Sequence, residues 1–245
     1  MIVLLTPTGA RKQQIEICAK LMQGQDYKGE VTWIIIDDAE PRTTDFITET
    51  FRENWKIVKL YPSPSWKEGQ NTQGRNMAAG INYIKTLELS DTDPIFIIED
   101  DDYYTPPYIR AMITKIKGYE LAGERNSIYY NVTQRRWIRN GNDWWSSLFQ
   151  TVFTKKAIPI LEKIYSEKFI DLALFKYIKN KNLFNDGDLA VGIKGMPGRK
   201  GIGAGHTWIN NMTPDSDMKK LKEFTGKDYK YYEHPYTTYL THHIQ

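Results

Sequence analysis

Four consecutive carboxylates, Glu99-Asp100-Asp101-Asp102, follow directly on the apolar run Ile95-Phe96-Ile97-Ile98. Acids this close repel one another unless solvent or a cation compensates. Hard divalent cations such as Mg²⁺ or Mn²⁺ take carboxylate oxygens and share their remaining positions with phosphates and water. Alternate residues of an extended strand end point the same way, so Glu99 with Asp101, or Asp100 with Asp102, could address one ion. A solvated loop capping a helix beyond Pro106-Pro107 is the plainer alternative. The buried strand in front of the run favours the cation.

A second group is Lys194-Gly195-Met196-Pro197-Gly198-Arg199-Lys200-Gly201-Ile202-Gly203-Ala204-Gly205-His206. Glycines let backbone N–H groups approach phosphate, and Lys194, Arg199 and Lys200 suit an anionic ligand. The spacing is neither a Rossmann fingerprint nor a P-loop. A third group, Gln134-Arg135-Arg136-Trp137-Ile138-Arg139-Asn140-Gly141-Asn142-Asp143-Trp144-Trp145, interleaves cations with indoles. Indole faces stack on sugar rings or bases, and arginines meet phosphate. Packing beneath a long loop is the alternative for some of these tryptophans. Asp215-Ser216-Asp217 precedes Met218, Leu221 and Phe224 at helical spacing, so it reads as a helix cap.

The elements that must position these groups read as βαβ units. Apolar strands are predicted at residues 2–5, 31–36, 57–61 and 95–98. Helical spacing appears at Ile15, Cys18 and Leu21-Met22, and again at Met77, Ile81, Ile84 and Leu87. Strands apolar on both faces imply a mostly parallel sheet flanked by helices, an α/β fold. Ligands of such sheets bind beyond the carboxyl ends of the strands. The segments at those ends are residues 6–11, with Thr6, Thr8, Gly9 and Arg11, then Asp37-Asp38, then the acidic run. They should face one site. Further on, helices are predicted at 108–122, 157–165 and 171–178, with an apolar stretch at 127–132 and a strand at 189–193. No linker stands out, so the chain reads as one domain, with a nucleotide half at 1–105 and an acceptor half at 106–245.

Four segments in order resemble GT-A fold glycosyltransferases of the family-2-like type. Ile95–Asp102 resembles the DxD region, and Thr6-Pro7-Thr8-Gly9-Ala10-Arg11 the first nucleotide-binding loop. Ile34-Ile35-Ile36-Asp37-Asp38 is similar to the strand whose terminal Asp pair meets the nucleoside. Gly74-Arg75-Asn76-Met77-Ala78-Ala79-Gly80-Ile81 resembles the helix start before the DxD strand, which makes Arg75 and Asn76 candidate donor-binding residues. Surface helix positions are the alternative for Arg11 and Arg75.

The resemblance implies a metal-dependent hexosyltransferase that holds a nucleotide-diphosphate sugar, usually a UDP-sugar, with Mn²⁺ or Mg²⁺. Asp37 or Asp38 would contact base or ribose, and Asp101 or Asp102 the metal, with Glu99 and Asp100 beside the donor. His206 resembles the late histidine that joins the metal in such enzymes, with a surface loop as the alternative. An inverting transfer needs a base for the acceptor hydroxyl. Asp171 occupies a comparable place near a helix start, and Asp186 and Asp188, in Asn185-Asp186-Gly187-Asp188, are its rivals. A helix cap and a turn are their respective alternatives. The acceptor would be a glycan or a hydroxymethylated base in DNA, the latter flipped out of the duplex.

The 245 residues carry 33 basic and 30 acidic side chains, a net charge of +3, too small to indicate a nucleic-acid protein by itself. One cysteine, Cys18, excludes an internal disulfide and a Cys-rich zinc module. The apolar runs are too short to span a membrane and the start lacks a signal-peptide pattern, so a cytoplasmic location is expected. A non-catalytic nucleic-acid-binding module and a nucleotidyltransferase of related fold are the competing readings.

Overall fold

Strands apolar at nearly every position must be covered on both faces, and this decides the centre of the molecule. The computed structural model describes residues 1–199 and 210–234. In it β1 (Ile2–Thr8), β2 (Val31–Asp37), β3 (Trp55–Leu60) and β4 (Pro94–Ile97) run parallel in the spatial order β4-β1-β2-β3. Side chains alternate between the faces. Ile2, Leu4, Trp33, Ile35 and Phe96 pack with Ile15, Cys18 and Met22 of α1 (Lys12–Gln23). Val3, Leu5, Ile34, Ile36 and Ile95 pack with Met77, Ile81 and Ile84 of α2 (Gln73–Ile84). Burying each such side chain stabilises the fold by roughly 1.5–3 kcal/mol. The two helices therefore fix which edge of the sheet carries the carboxyl ends.

The second half departs from its sequence pattern. After β5 (Tyr103–Tyr104), the helix expected through residue 122 stops early, as α3 (Tyr108–Ile116). Leu121 and Ala122 belong instead to β6 (Leu121–Glu124). The polar, Trp-rich segment is not a loop. It supplies β8 (Arg136–Gly141), the second arm of a hairpin with β7 (Asn126–Asn131). Then follow β9 (Thr151–Thr154), α4 (Ile158–Ile164), α5 (Ile170–Tyr177), β10 (Lys181–Phe184), β11 (Ala190–Lys194), β12 (Thr213–Pro214) and α6 (Lys219–Thr225).

The main sheet has seven strands in the order β10-β6-β9-β4-β1-β2-β3, with β9 antiparallel to both its neighbours. A five-stranded sheet, β12-β8-β7-β11-β5, packs beside it. Strand β11 carries Lys194 to the carboxyl edge of the main sheet. Asp215 caps α6 as expected: it accepts the N–H groups of Lys220 at 3.0 Å and Leu221 at 3.1 Å, and the Tyr130 hydroxyl at 2.9 Å. No helix among the described residues is long and apolar enough to cross a membrane.

Candidate active site

The carboxyl ends of β1, β2 and β4 converge with the start of α2. The Thr8 hydroxyl donates to Asp100 Oδ2 at 2.5 Å, and Arg11 Nη1 donates to Asp100 Oδ1 at 2.7 Å while standing 3.4 Å from Asp101 Oδ2. Burial works against the Arg11 charge, but Asp100 and Asp101 more than offset it and its pKa lies above the ordinary value. Thr6 points away from this cleft, into the core, where its hydroxyl accepts the Trp33 indole N–H at 2.9 Å. Gly9 adopts φ +148°, and a Cβ there would run into Asp38 Oδ1. Only glycine lets β1 turn this close to the carboxylate.

The adjacent aspartates at the end of β2 have different surroundings. Asp37 organises its own loop: it accepts the N–H groups of Ala39, Thr43 and Thr44 and the hydroxyls of both threonines, at 2.7–3.2 Å. Asp38 is the meeting point. Its Oδ2 accepts Arg75 Nη2 at 3.1 Å, Asn76 Nδ2 at 2.8 Å and the Thr72 hydroxyl. Its Oδ1 accepts Arg199 Nη1 at 2.9 Å.

The acidic run is divided among three environments. Asp100, 1% exposed, lies with Thr8 and Arg11; burial raises its pKa against the pull of Arg11. Asp102, also 1% exposed, accepts the Ile193 N–H at 2.8 Å and Lys194 Nζ at 3.2 Å, both on Oδ1. Its Oδ2 is buried with no partner among the described residues, and burial pushes its pKa up to about 7 despite Lys194. Glu99 and the 11%-exposed side chain of Asp101 keep access to solvent. Gln73 Nε2 reaches Glu99 Oε1 at 3.1 Å, and burial, followed by the charges of Asp102 and Asp101, holds the Glu99 carboxyl well above its usual range. The alternate pair on the open side is thus Glu99 with Asp101. Asp102, expected at a metal, is enclosed with Lys194, and Lys194, expected on phosphate, is buried on Asp102 beneath the rings of Tyr129 and Phe149.

Burial opposes the Lys194 charge, yet Asp102, Asp101 and Glu99 raise its pKa above the ordinary lysine value. Breaking such a buried pair from one side leaves an uncompensated charge, at a cost of about 3–5 kcal/mol. Lys194→Met should therefore destabilise the protein by about 3 kcal/mol at pH 8. Asp102 is protonated more readily folded than unfolded, so acidification from pH 7 toward pH 4 favours the folded state. The deficit of the variant should shrink as the pH falls from 8 through about 7, where wild-type Asp102 takes up its proton, and level off below, because a neutral Asp102 needs no partner. Urea unfolding at pH 8 and pH 5 checks both statements.

Asp171 lies in the first turn of α5, where it accepts the Leu172 N–H at 2.9 Å. Burial raises its pKa, against those backbone hydrogen bonds, and its charge in turn raises the pKa of Glu99 and Tyr129. It thus shares the electrostatic environment of the acidic run. Asp188 does not. It is exposed and paired with Arg139 Nη2 at 2.8 Å. Among the described residues no three His, Cys, Asp or Glu side chains form a metal cluster. Lys200 and His206 lie outside the described residues. Two carboxylates facing a cleft still suit Mg²⁺ or Mn²⁺, since such ions in phosphate sites need only one or two protein carboxylates.

The arginines of the Trp-rich segment have intramolecular partners. Arg135 donates to the Ser216 carbonyl, Arg136 to that of Met212 and Arg139 to that of Gly187. Trp137 packs on Phe224, with ring centroids 5.4 Å apart. Trp145 is half-buried against the core, and Trp144 is 47% exposed. Of the three tryptophans, Trp144 alone is left exposed. Sequence reasoning passed over Thr72, Gln73 and Trp66. Thr72 and Gln73 stand three and two residues before Arg75, and Trp66 lies in a Pro- and Ser-rich loop following a strand, which were the available signals.

No family model matches the chain, and no curated protein matches it. Among solved structures, residues 1–349 of S. aureus TarS superpose with a TM-score of 0.55 at 12% identity. The same protein in complex with UDP gives 0.56 at 12%, and in complex with UDP-GlcNAc 0.55 at 13%. The matches cover 78%, 78% and 82% of this chain respectively, and 60% of the TarS fragment in each case. The likeness is one of fold, and it matches the mostly parallel sheet flanked by helices.

Proposed function

We propose that the chain is a glycosyltransferase that transfers a sugar from a nucleotide-diphosphate donor, a UDP-sugar, to a hydroxyl acceptor. The observation that carries the reading is the convergence of Asp38, Arg11 and the Glu99–Asp101 pair at one sheet edge. The fold is shared with a protein whose structures hold UDP and UDP-GlcNAc. In this reading Asp38, with Arg75 and Asn76 behind it, faces the base and ribose, and Arg11 faces the diphosphate. Asp101 with Glu99 would hold a divalent cation, which neutralises charge on the departing diphosphate.

Asp171 takes the proton of the acceptor hydroxyl as that oxygen attacks the anomeric carbon. A carbon–oxygen bond forms on one face while the bond to the diphosphate breaks on the other, and the diphosphate leaves with the electron pair. The configuration inverts. A raised pKa brings a carboxylate base closer to the operating pH, which favours proton transfer.

A melting-temperature panel of UDP, UDP-GlcNAc, UDP-glucose and GDP-mannose, with and without Mn²⁺, tests the donor assignment. A ligand at 100 times its Kd stabilises the folded state by about 2.7 kcal/mol, or roughly 5–10 °C for a chain of this size. A metal-dependent rise with a UDP-sugar is expected. No rise with any of the panel overturns the reading.

A further inference from the structure

Among the described residues, Asp38 Oδ2 accepts three donors, whereas its Oδ1 accepts Arg199. Through Arg199 that oxygen is linked to Trp66. The Trp66 backbone N–H donates to the Asp38 carbonyl at 2.7 Å, and its indole N–H to the Gln70 carbonyl at 2.9 Å, which fixes the ring. The Arg199 guanidinium lies over this ring, 4.8 Å from its centroid, and Nη2 also reaches the Thr72 hydroxyl at 2.6 Å. A guanidinium here is a flat group over an indole face, with N–H donors along its edge. A nucleobase that offers an N–H to a carboxylate has the same features.

The segment behind Arg199 is laid across the start of α1. Arg11 Nε donates to the Arg199 carbonyl at 3.0 Å, and Gln14 donates to the Pro197 carbonyl. Gly198, at φ +95°, passes close to the Ala10 carbonyl. Burial and the neighbouring Arg11 oppose the Arg199 charge, while Asp38 supports it. The Asp38 contact therefore only partly offsets burial and the like charge of Arg11.

We propose that Arg199 is an internal plug in a nucleobase slot bounded by Trp66, Asp38 and Thr72, and that a nucleotide enters by displacing it. The identity of the ligand rests on the glycosyltransferase reading above. The Arg199 guanidinium already occupies the face of Trp66 that a base would stack on, so the two compete.

Calorimetric titration of UDP in saturating Mn²⁺ into wild type, Arg199→Ala and Trp66→Ala tests this. A plug in place in about nine molecules of ten weakens apparent affinity about tenfold, so Arg199→Ala should bind UDP about tenfold more tightly. Trp66→Ala, deprived of the stacking face, should bind about tenfold more weakly. Hydrogen exchange in the wild type needs no variant: UDP should speed exchange at the amides of Gly198 and Arg199. Equal or weaker UDP binding by Arg199→Ala, or protection of those amides by UDP, overturns the plug. Unchanged binding by Trp66→Ala overturns its role as a wall. If neither wild type nor Arg199→Ala binds UDP, GDP, CDP or ADP, the nucleotide-sugar reading itself fails.

Discussion

Asp171→Asn should lower sugar transfer by about a thousandfold while leaving donor affinity unchanged, the middle of the range for loss of a general base. The substitution keeps the shape and the oxygen that accepts the Leu172 N–H, so α5 retains its first turn. It removes the only function the proposal gives the residue, which is to take a proton. Asparagine has no comparable basicity. The rate is read as UDP released from a UDP-sugar, with water as acceptor where no better one is known, and donor affinity by calorimetry. A second readout is the pH profile. Burial raises the Asp171 pKa, so wild-type activity should fall on acidification through a value above the ordinary aspartate range. Below that pKa the base is already protonated. The variant should lose this acid limb. A loss of donor affinity equal to the loss of rate would instead make Asp171 a structural cap of α5.

What the sequence made legible was governed by periodicity. β1, β2, β4 and the two helices packed on them follow from residues such as Leu4, Ile34, Phe96, Cys18 and Ile81, whose positions leave them nowhere to go but the core. The second sheet was not legible, for a physical reason. Strand β8 reads Arg-Trp-Ile-Arg-Asn-Gly, and its pairing depends on partners β7 and β12, not on its own apolar pattern. Likewise Leu121 and Ala122 continue the helical spacing of α3, yet pairing with β9 and β10 places them in a strand.

At the site, residue type placed Asp37 and Asp38 together but could not divide their work. Only the loop at residues 39–44, folded back to give Asp37 five donors, separates a residue that shapes backbone from one that faces the cleft. The same holds for the acidic run. Lys194 arrives from 92 residues away to enclose Asp102, and no local spacing encodes that meeting.

Asp101→Ala should abolish the effect of Mn²⁺ on UDP binding. In the wild type, Mn²⁺ should tighten UDP binding by at least about tenfold. Loss of groups that merely orient a metal ligand typically costs 10–100-fold in metal affinity, so loss of a direct ligand should cost no less. In the variant the ratio of affinities with Mn²⁺ and with EDTA should fall to about one. Charge removal and ligand removal predict opposite signs in EDTA, which makes the experiment discriminating. Asp101 adds negative charge beside Arg11, so removing it leaves the cleft less repulsive to a diphosphate, and metal-free UDP binding should strengthen slightly. A residue that only supported the fold would weaken binding in both conditions. Asp102→Asn supplies the contrast, because that carboxylate is enclosed with Lys194. It should keep the Mn²⁺ ratio of the wild type while changing the stability of the buried pair. If Asp102→Asn loses the ratio and Asp101→Ala keeps it, the cation belongs to the other alternate pair, and the proposed division of the acidic run is reversed.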